Sequence, residues 1–180
     1  MSVDAAPGEL ELVRAFVNTL DVEDGVDELD SPRALATWLW DRGLLRGRGA
    51  TQADLANARR LREALRALLL ANNGVSTRKE AALTLSRTAA RARLVFRFDP
   101  DGGVHVEPTA AGVDAALGRI VAVVSAAMGA GTWSRLKACR AEECGWAFYD
   151  HARNRSRHWC SMAVCGNRTK AKVYRRRHAA

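Results

Sequence analysis

Cys139-Arg-Ala-Glu-Glu-Cys144 and Cys160-Ser-Met-Ala-Val-Cys165, separated by fifteen residues, hold every cysteine of the 180-residue chain. Two C-x4-C pairs form a metal-ligand pattern. Zinc asks for four soft ligands in a tetrahedron with Zn–S near ~2.3 Å, and each short loop turns one thiolate back beside the other. Gly145 and Gly166 follow the second cysteine of each pair, where a tight turn favours a residue without Cβ. Four protein thiolates leave no open coordination position, so the expected cofactor is one structural Zn2+ rather than a catalytic metal. Iron could take the same four ligands. Unrelated buried thiols and disulfides are the remaining readings of the four cysteines, and His151 or His158 could replace one of them as a ligand.

Outward from the cysteines the charge is lopsided. Between Arg135 and Ala180 lie twelve Lys/Arg against three Asp/Glu, a balance of +9, while the preceding 134 residues hold sixteen against seventeen. Four thiolates and one dication would leave this tail near +7. Such asymmetry is the signature of an attached polyanion-binding module, with DNA the expected partner and RNA the alternative. A module of about 45 residues is too small to rely on an apolar core alone, so the metal is expected to be needed for folding. Its mini-core is expected from Trp146, Phe148, Tyr149, Trp159, Val173 and Tyr174, with short strands at Leu136–Cys139 and Gly145–Tyr149. Arg153, Arg155, Arg157 and His158 lie between the cysteine pairs in a segment with no apolar period, which predicts an exposed basic loop. Asn167 can cap a helix over Arg168–His178. At about 100° per residue, Arg168, Lys172, Arg175 and Arg176 fall within roughly a 100° arc, a basic face for phosphates, with Lys170 and Arg177 on the far side. Arginine also suits bidentate contacts to phosphate or guanine.

The first 134 residues read as mainly helical. Leu12, Val13, Phe16, Val17 and Leu20 share one face of a helix from Glu9 to Leu20. The acidic stretch Asp21–Asp30 is expected as a loop. Its acids could hold a cation, but their spacing does not match a calcium loop. Ser31-Pro32 opens a helix carrying Leu35, Trp38 and Leu39 that ends near Gly43. The Gly47–Gly49 stretch reads as a linker. Thr51 caps the next helix, with an apolar stripe of Leu55, Leu61, Leu65, Leu68 and Leu69 that runs up to Asn72-Asn73-Gly74. Thr77 with Glu80 fits a capping box for a helix to about Ala92. The period then switches to two in Leu94–Phe98 and Val104–Glu107 around Asp99-Pro-Asp-Gly-Gly103, a β-hairpin at about 93–107. A last apolar helix runs from Thr109 to Met128, and Gly129–Gly131 marks the boundary. The expected architecture is a mainly α domain with one β-hairpin (α+β) over 1–131, followed by a four-cysteine, treble-clef or ribbon-like zinc finger over 132–180 that ends in a basic helix.

The same residues carry a family resemblance. Cys165-Gly166-Asn167-Arg168, the flanking C-x4-C loops, the Trp before the third cysteine and the Lys/Arg helix resemble the CGNR zinc-finger family. That resemblance implies one zinc held by the four cysteines, Asn167 and Gly166 as motif residues, and DNA binding. Phe16-Val-Asn-Thr19, Pro32, Leu35, Trp38-Leu39 and Gly43 resemble the ABATE domain that precedes this finger in bacterial regulators described as stress-induced. Ala15 stands where that family often has Asp, which weakens the case for a functional acid there.

No catalytic constellation stands out, so an enzyme is not expected. His105 reads as a strand surface residue. Asn18 and Thr19, ending an apolar helix, either cap the next loop or line a ligand pocket. The longest apolar run, Ile120–Ala130, is too short to cross a bilayer, so no membrane partner is expected. With no basic-then-apolar start, the expected compartment is the cytoplasm. The functional expectation is transcription regulation, with the N-terminal domain sensing a small-molecule effector or pairing subunits as a homodimer. A protein-interaction module is the further alternative.

Overall fold

A computed structural model describes residues 5–46, 49–76 and 79–178. Helix α1 (Leu10–Val17) buries Leu10, Val13, Phe16 and Val17. Helix α2 (Pro32–Asp41) starts as its sequence dictates: the Ser31 hydroxyl accepts the Ala34 N–H at 3.1 Å, and Pro32 occupies a position whose N–H has no helical partner. Helix α3 (Gln52–Asn72) opens with a capping box between Thr51 and Asp54. Helix α4 runs over Lys79–Ala92; its expected cap, Thr77, lies outside the described residues, as does Gly47 of the expected linker. Strands β3 (Leu94–Phe98) and β4 (Val104–Pro108) form the expected hairpin, with Phe96 opposite Val106 and Phe98 opposite Val104. Helix α5 (Gly112–Gly129) packs on α1, α3, α4 and β4. It is the one described helix long and apolar enough to cross a membrane, and more than half of it is buried within the fold. Gly118 on α5 lets the base of the hairpin approach: a Cβ there would run into Ala92 and touch Leu94 and Pro108.

The acidic stretch is not a plain loop. Leu20–Asp21 (β1) and Val26–Asp27 (β2) pair antiparallel. The Asp21 carboxylate accepts the N–H groups of Glu23 and Asp24, and Gly25 supplies a left-handed residue at φ +68°, which closes the turn. Asp27 then binds Arg62 of α3 at 2.5 and 3.0 Å. Arg62 is buried, and Arg66, one turn on, donates to the carbonyls of Val17 and Leu20. Asp21 and Asp27 are therefore spent on the turn and on arginine.

After a 3-10 turn at Trp133–Arg135, strands β5 (Leu136–Ala138) and β6 (Ala147–Tyr149) form a second expected ladder. Its alternation divides two cores. Leu136, Ala138, Ala147 and Tyr149 join the main apolar core, whereas Phe148 belongs to a second cluster with the cysteines. Helix α3 packs directly on β5. The main core thus continues from the helices across 129–131 into β5 and β6.

Candidate metal centre and nucleic-acid interface

Cys139 follows β5, Cys144 ends the turn before β6, Cys160 follows a loop, and Cys165 lies in the single π-helical turn Met162–Gly166 that leads into α6 (Asn167–His178). All four sulfurs are buried and lie within 4.8 Å of one another. The Cys144–Cys160 and Cys160–Cys165 sulfur pairs are 3.6 and 3.7 Å apart. A ZnS4 tetrahedron with ~2.3 Å bonds has edges of about 3.8 Å, and a disulfide would need about 2.05 Å. The four thiols therefore fit a tetrahedral dication, and none is in a disulfide. His151 and His158 lie outside the cluster.

The electrostatics of the bare thiols point the same way. Hydrogen bonds from Cys144 and Cys160, with backbone N–H groups of Cys160 and Ala141, hold the Cys139 thiol down at about 2 against the opposing effect of burial. The partner of that favoured thiolate pays in turn: its hydrogen bond to Cys139, together with burial, pushes Cys144 up to about 12, and the same causes push Cys160 further up. Burial and the Cys139 charge also raise Cys165. One anion is stable here and four are not, unless a cation compensates them. Bound zinc supplies that compensation and a closed, non-catalytic tetrahedron.

The supporting shell comes from both halves of the chain. Gly145 adopts φ +57°, as its turn requires, and its carbonyl accepts from Arg66 at 2.7 Å. Asn73, at the end of α3, donates to the carbonyls of Ala138 and His158, while its own side-chain oxygen meets His158 Nδ1 at 2.8 Å. Asn72 donates to the carbonyls of Trp133 and Leu136. Lys137 and Asp150 form a buried ion pair at 2.7 Å. Burial drives the Asp150 carboxyl upward, but Lys137 and the N–H groups of Ala152 and Arg157 outweigh it and leave it below the usual carboxylate range.

The structure distributes the remaining predicted residues unevenly. Asn18 and Thr19 are buried and bonded inward: Asn18 bonds both backbone groups of Ala147, and the Thr19 hydroxyl donates to the Phe16 carbonyl. Arg157 is not a free loop arginine, because its guanidinium donates to the carbonyls of Trp159 and Cys160 and lies over the Phe148 ring. His158 is likewise tied into the framework. Arg153 and Arg155 are exposed, as expected of the loop. Asn167 is already helical and donates to the Ala163 carbonyl; the cap is Ser161, whose hydroxyl accepts the Val164 N–H. Gly166 has no left-handed backbone angle, and a Cβ there would push aside the flexible, exposed Met162 side chain. Val173 and Tyr174 are exposed and take no part in the mini-core, which is Phe148 and Ala141 with Trp146 and Trp159 packed against it. On α6, Arg168, Lys172, Arg175 and Arg176 line a cleft of about 360 Å3 against Arg140, Glu142 and Glu143. Arg168 pairs with Glu23 at 2.7 Å and Lys172 with Glu142 at 2.6 Å. Sequence reasoning missed these acids because nothing local says that α6 folds back over the first knuckle.

Residues 135–178 match the CGNR zinc finger, and residues 10–132 match the family described as "Putative stress-induced transcription regulator", ABATE. The chain belongs to the ABATE family and ends in a CGNR finger. The order and the cysteine ligands agree with what the sequence implied. Neither description is that of an enzyme. No curated protein matches the chain. In these terms, the ABATE domain contributes Asn18, Arg66, Asn72 and Asn73 to the wall on which the CGNR finger is built.

Proposed function

We propose that this protein is a zinc-dependent DNA-binding transcription regulator of the cytoplasm, in which the CGNR finger (132–180) docks on duplex phosphates and the ABATE domain (1–131) governs that docking. The observation that carries the reading is the exposed arginine set of the finger. Arg153, Arg175, Arg176 and Arg177 are exposed and form no ion pair among the described residues, on a module whose net charge is +9. Arg155 adds a further exposed cation, and Arg168 and Lys172 stand behind them, held by acids that a phosphate could displace. Lys170 and Arg177, on the side of α6 away from the cleft, are as accessible as the expected face. Zinc holds α6 against the knuckles and so fixes where these charges sit.

RNA binding through base stacking has less support, because Trp146 and Trp159 are half-buried against the cysteine cluster instead of presenting open rings. A salt series of anisotropy titrations tests the proposal, using random duplex DNA, single-stranded RNA and chelator-treated protein. Each phosphate contact adds just under one unit to the log–log salt slope. Arg175→Ala should weaken all duplexes alike and reduce the slope by about 0.9. Salt-insensitive binding, or none, would move the finger to a protein-interaction role.

A further inference from the structure

The β3–β4 hairpin has a wholly apolar face. Leu94, Phe96 and Phe98 on one strand alternate onto the same side as Val104, Val106 and Pro108 on the other. At its base this face is covered: Leu94 and Pro108 meet Gly118 of α5. Towards its tip it overhangs. Phe96 is 70%, Phe98 80% and Val104 58% exposed. Beside the overhang, Phe96, Val104 and Val106 face Ala122, Val123 and Ala126 of α5 across a groove of about 290 Å3, with the Glu9–Arg119 ion pair at its rim.

We infer that this hairpin face and groove form the two-fold interface of a homodimer, each copy's phenylalanines entering the other's groove. Three physical arguments select a second copy. The first is area. An aromatic side chain covers roughly 150–250 Å2, so the two exposed rings with Val104 leave close to 400 Å2 of apolar surface in water. That lies within the range that marks a functional patch, and it is a suitable core for a standard interface of about 800 Å2 per partner. The second is shape: knob and hole lie side by side on one molecule, the arrangement that an isologous contact needs, in which one patch meets itself. The third is charge. Charges of both signs lie beside the patch, Glu9 paired with Arg119 at the groove rim and His105 near Asp99 at the hairpin tip, whereas Arg97 and Glu107 alternate onto the opposite face. A mixed border can complement itself about a two-fold axis, whereas the finger, at about +7 with zinc bound, would repel its own copy. The strand edge adds an opportunity: among the described residues β3 pairs with β4 alone, so its other edge has no strand neighbour there.

Sedimentation velocity of the zinc-loaded full chain over a wide concentration range, without nucleic acid, tests this independently of DNA binding. Wild type should sediment at twice the chain mass of 19.6 kDa. Phe98→Glu on the knob and Ala126→Glu on the groove wall should each return it to the single-chain mass, with zinc content and circular dichroism unchanged. Leu83→Glu, at another exposed apolar position on α4, should remain dimeric. A wild type that stays monomeric at every concentration overturns the inference. So does a dimer that survives both interface substitutions, and in that case the face is left to a different protein or to a surface that the assay lacks.

Discussion

Asn18 meets Ala147 as a neighbouring strand would, its amide donating to the Ala147 carbonyl at 2.9 Å and its oxygen accepting the Ala147 N–H at 2.7 Å. One side chain at the end of α1 thus satisfies both outward backbone groups of Ala147, 129 residues away, and both are buried. Asn18→Ala leaves a buried donor and a buried acceptor unpaired, at about 1–3 kcal/mol each. We expect a loss of about 2–4 kcal/mol in urea unfolding and faster zinc transfer to a chelator. A normal zinc transfer rate in a destabilised variant would show that the pin serves the ABATE domain alone.

Removing zinc should be felt well beyond the cysteines. Leu136, Ala138, Ala147 and Tyr149 belong to the main core, yet the ladder that carries them is braced by the cysteine cluster on its other side. Chelation or Cys144→Ser is expected to lower the melting temperature of the whole chain and keep one cooperative transition. Calorimetry that finds the ABATE transition unmoved would show the two modules to be thermodynamically separate.

Asp27 and Arg62 predict a pH dependence. Burial raises the Asp27 carboxyl, but hydrogen bonds from Arg62 and the Leu29 N–H, with the charges of Arg62 and Arg59, more than reverse this and hold it below its ordinary value. A carboxyl with a depressed folded-state pKa contributes stability that is fully present above its unfolded value, about 3.9, and lost as pH falls through the folded value. Asp27→Asn should therefore cost about 2–3 kcal/mol at neutral pH. Its unfolding curve should converge on that of wild type in acid, and subtracting the two cancels any zinc loss they share. A difference that is independent of pH would mean that the carboxylate charge does not stabilise the fold.

Glu23, on the β1–β2 turn, holds Arg168 of the finger, and both side chains are partly exposed. Glu23→Gln removes the nearer of the two acids on that arginine and leaves it more available to phosphate. Exposed ion pairs contribute little, so duplex affinity at low salt should rise by no more than about fivefold. Unchanged affinity and an unchanged salt slope would exclude Arg168 from the interface.

Much of this molecule was legible in local signals. Ser31-Pro32 and Thr51 with Asp54 start helices through contacts within three residues, and the period-two runs around Asp99–Gly103 close a hairpin on their own turn. The cysteine spacing announced the metal ligands because chelation needs two close pairs. Other features depended on partners remote in sequence. Val173 and Tyr174 are apolar residues on a helix, yet both remain exposed and outside the cysteine cluster's core. Arg157 looks like a surface cation and instead ties the loop to Cys160.

The sequence by itself determined the four ligands, the helix starts, the hairpin and the concentration of positive charge in the last 46 residues, because each rests on short-range geometry or on composition. Only the tertiary structure decided that Asn18, Arg66, Asn72 and Asn73 carry the finger, that acids sit against α6, and that the phenylalanine face is left uncovered. Those outcomes depend on which distant backbone groups and side chains come together, and folding brings together partners that no local period or spacing records.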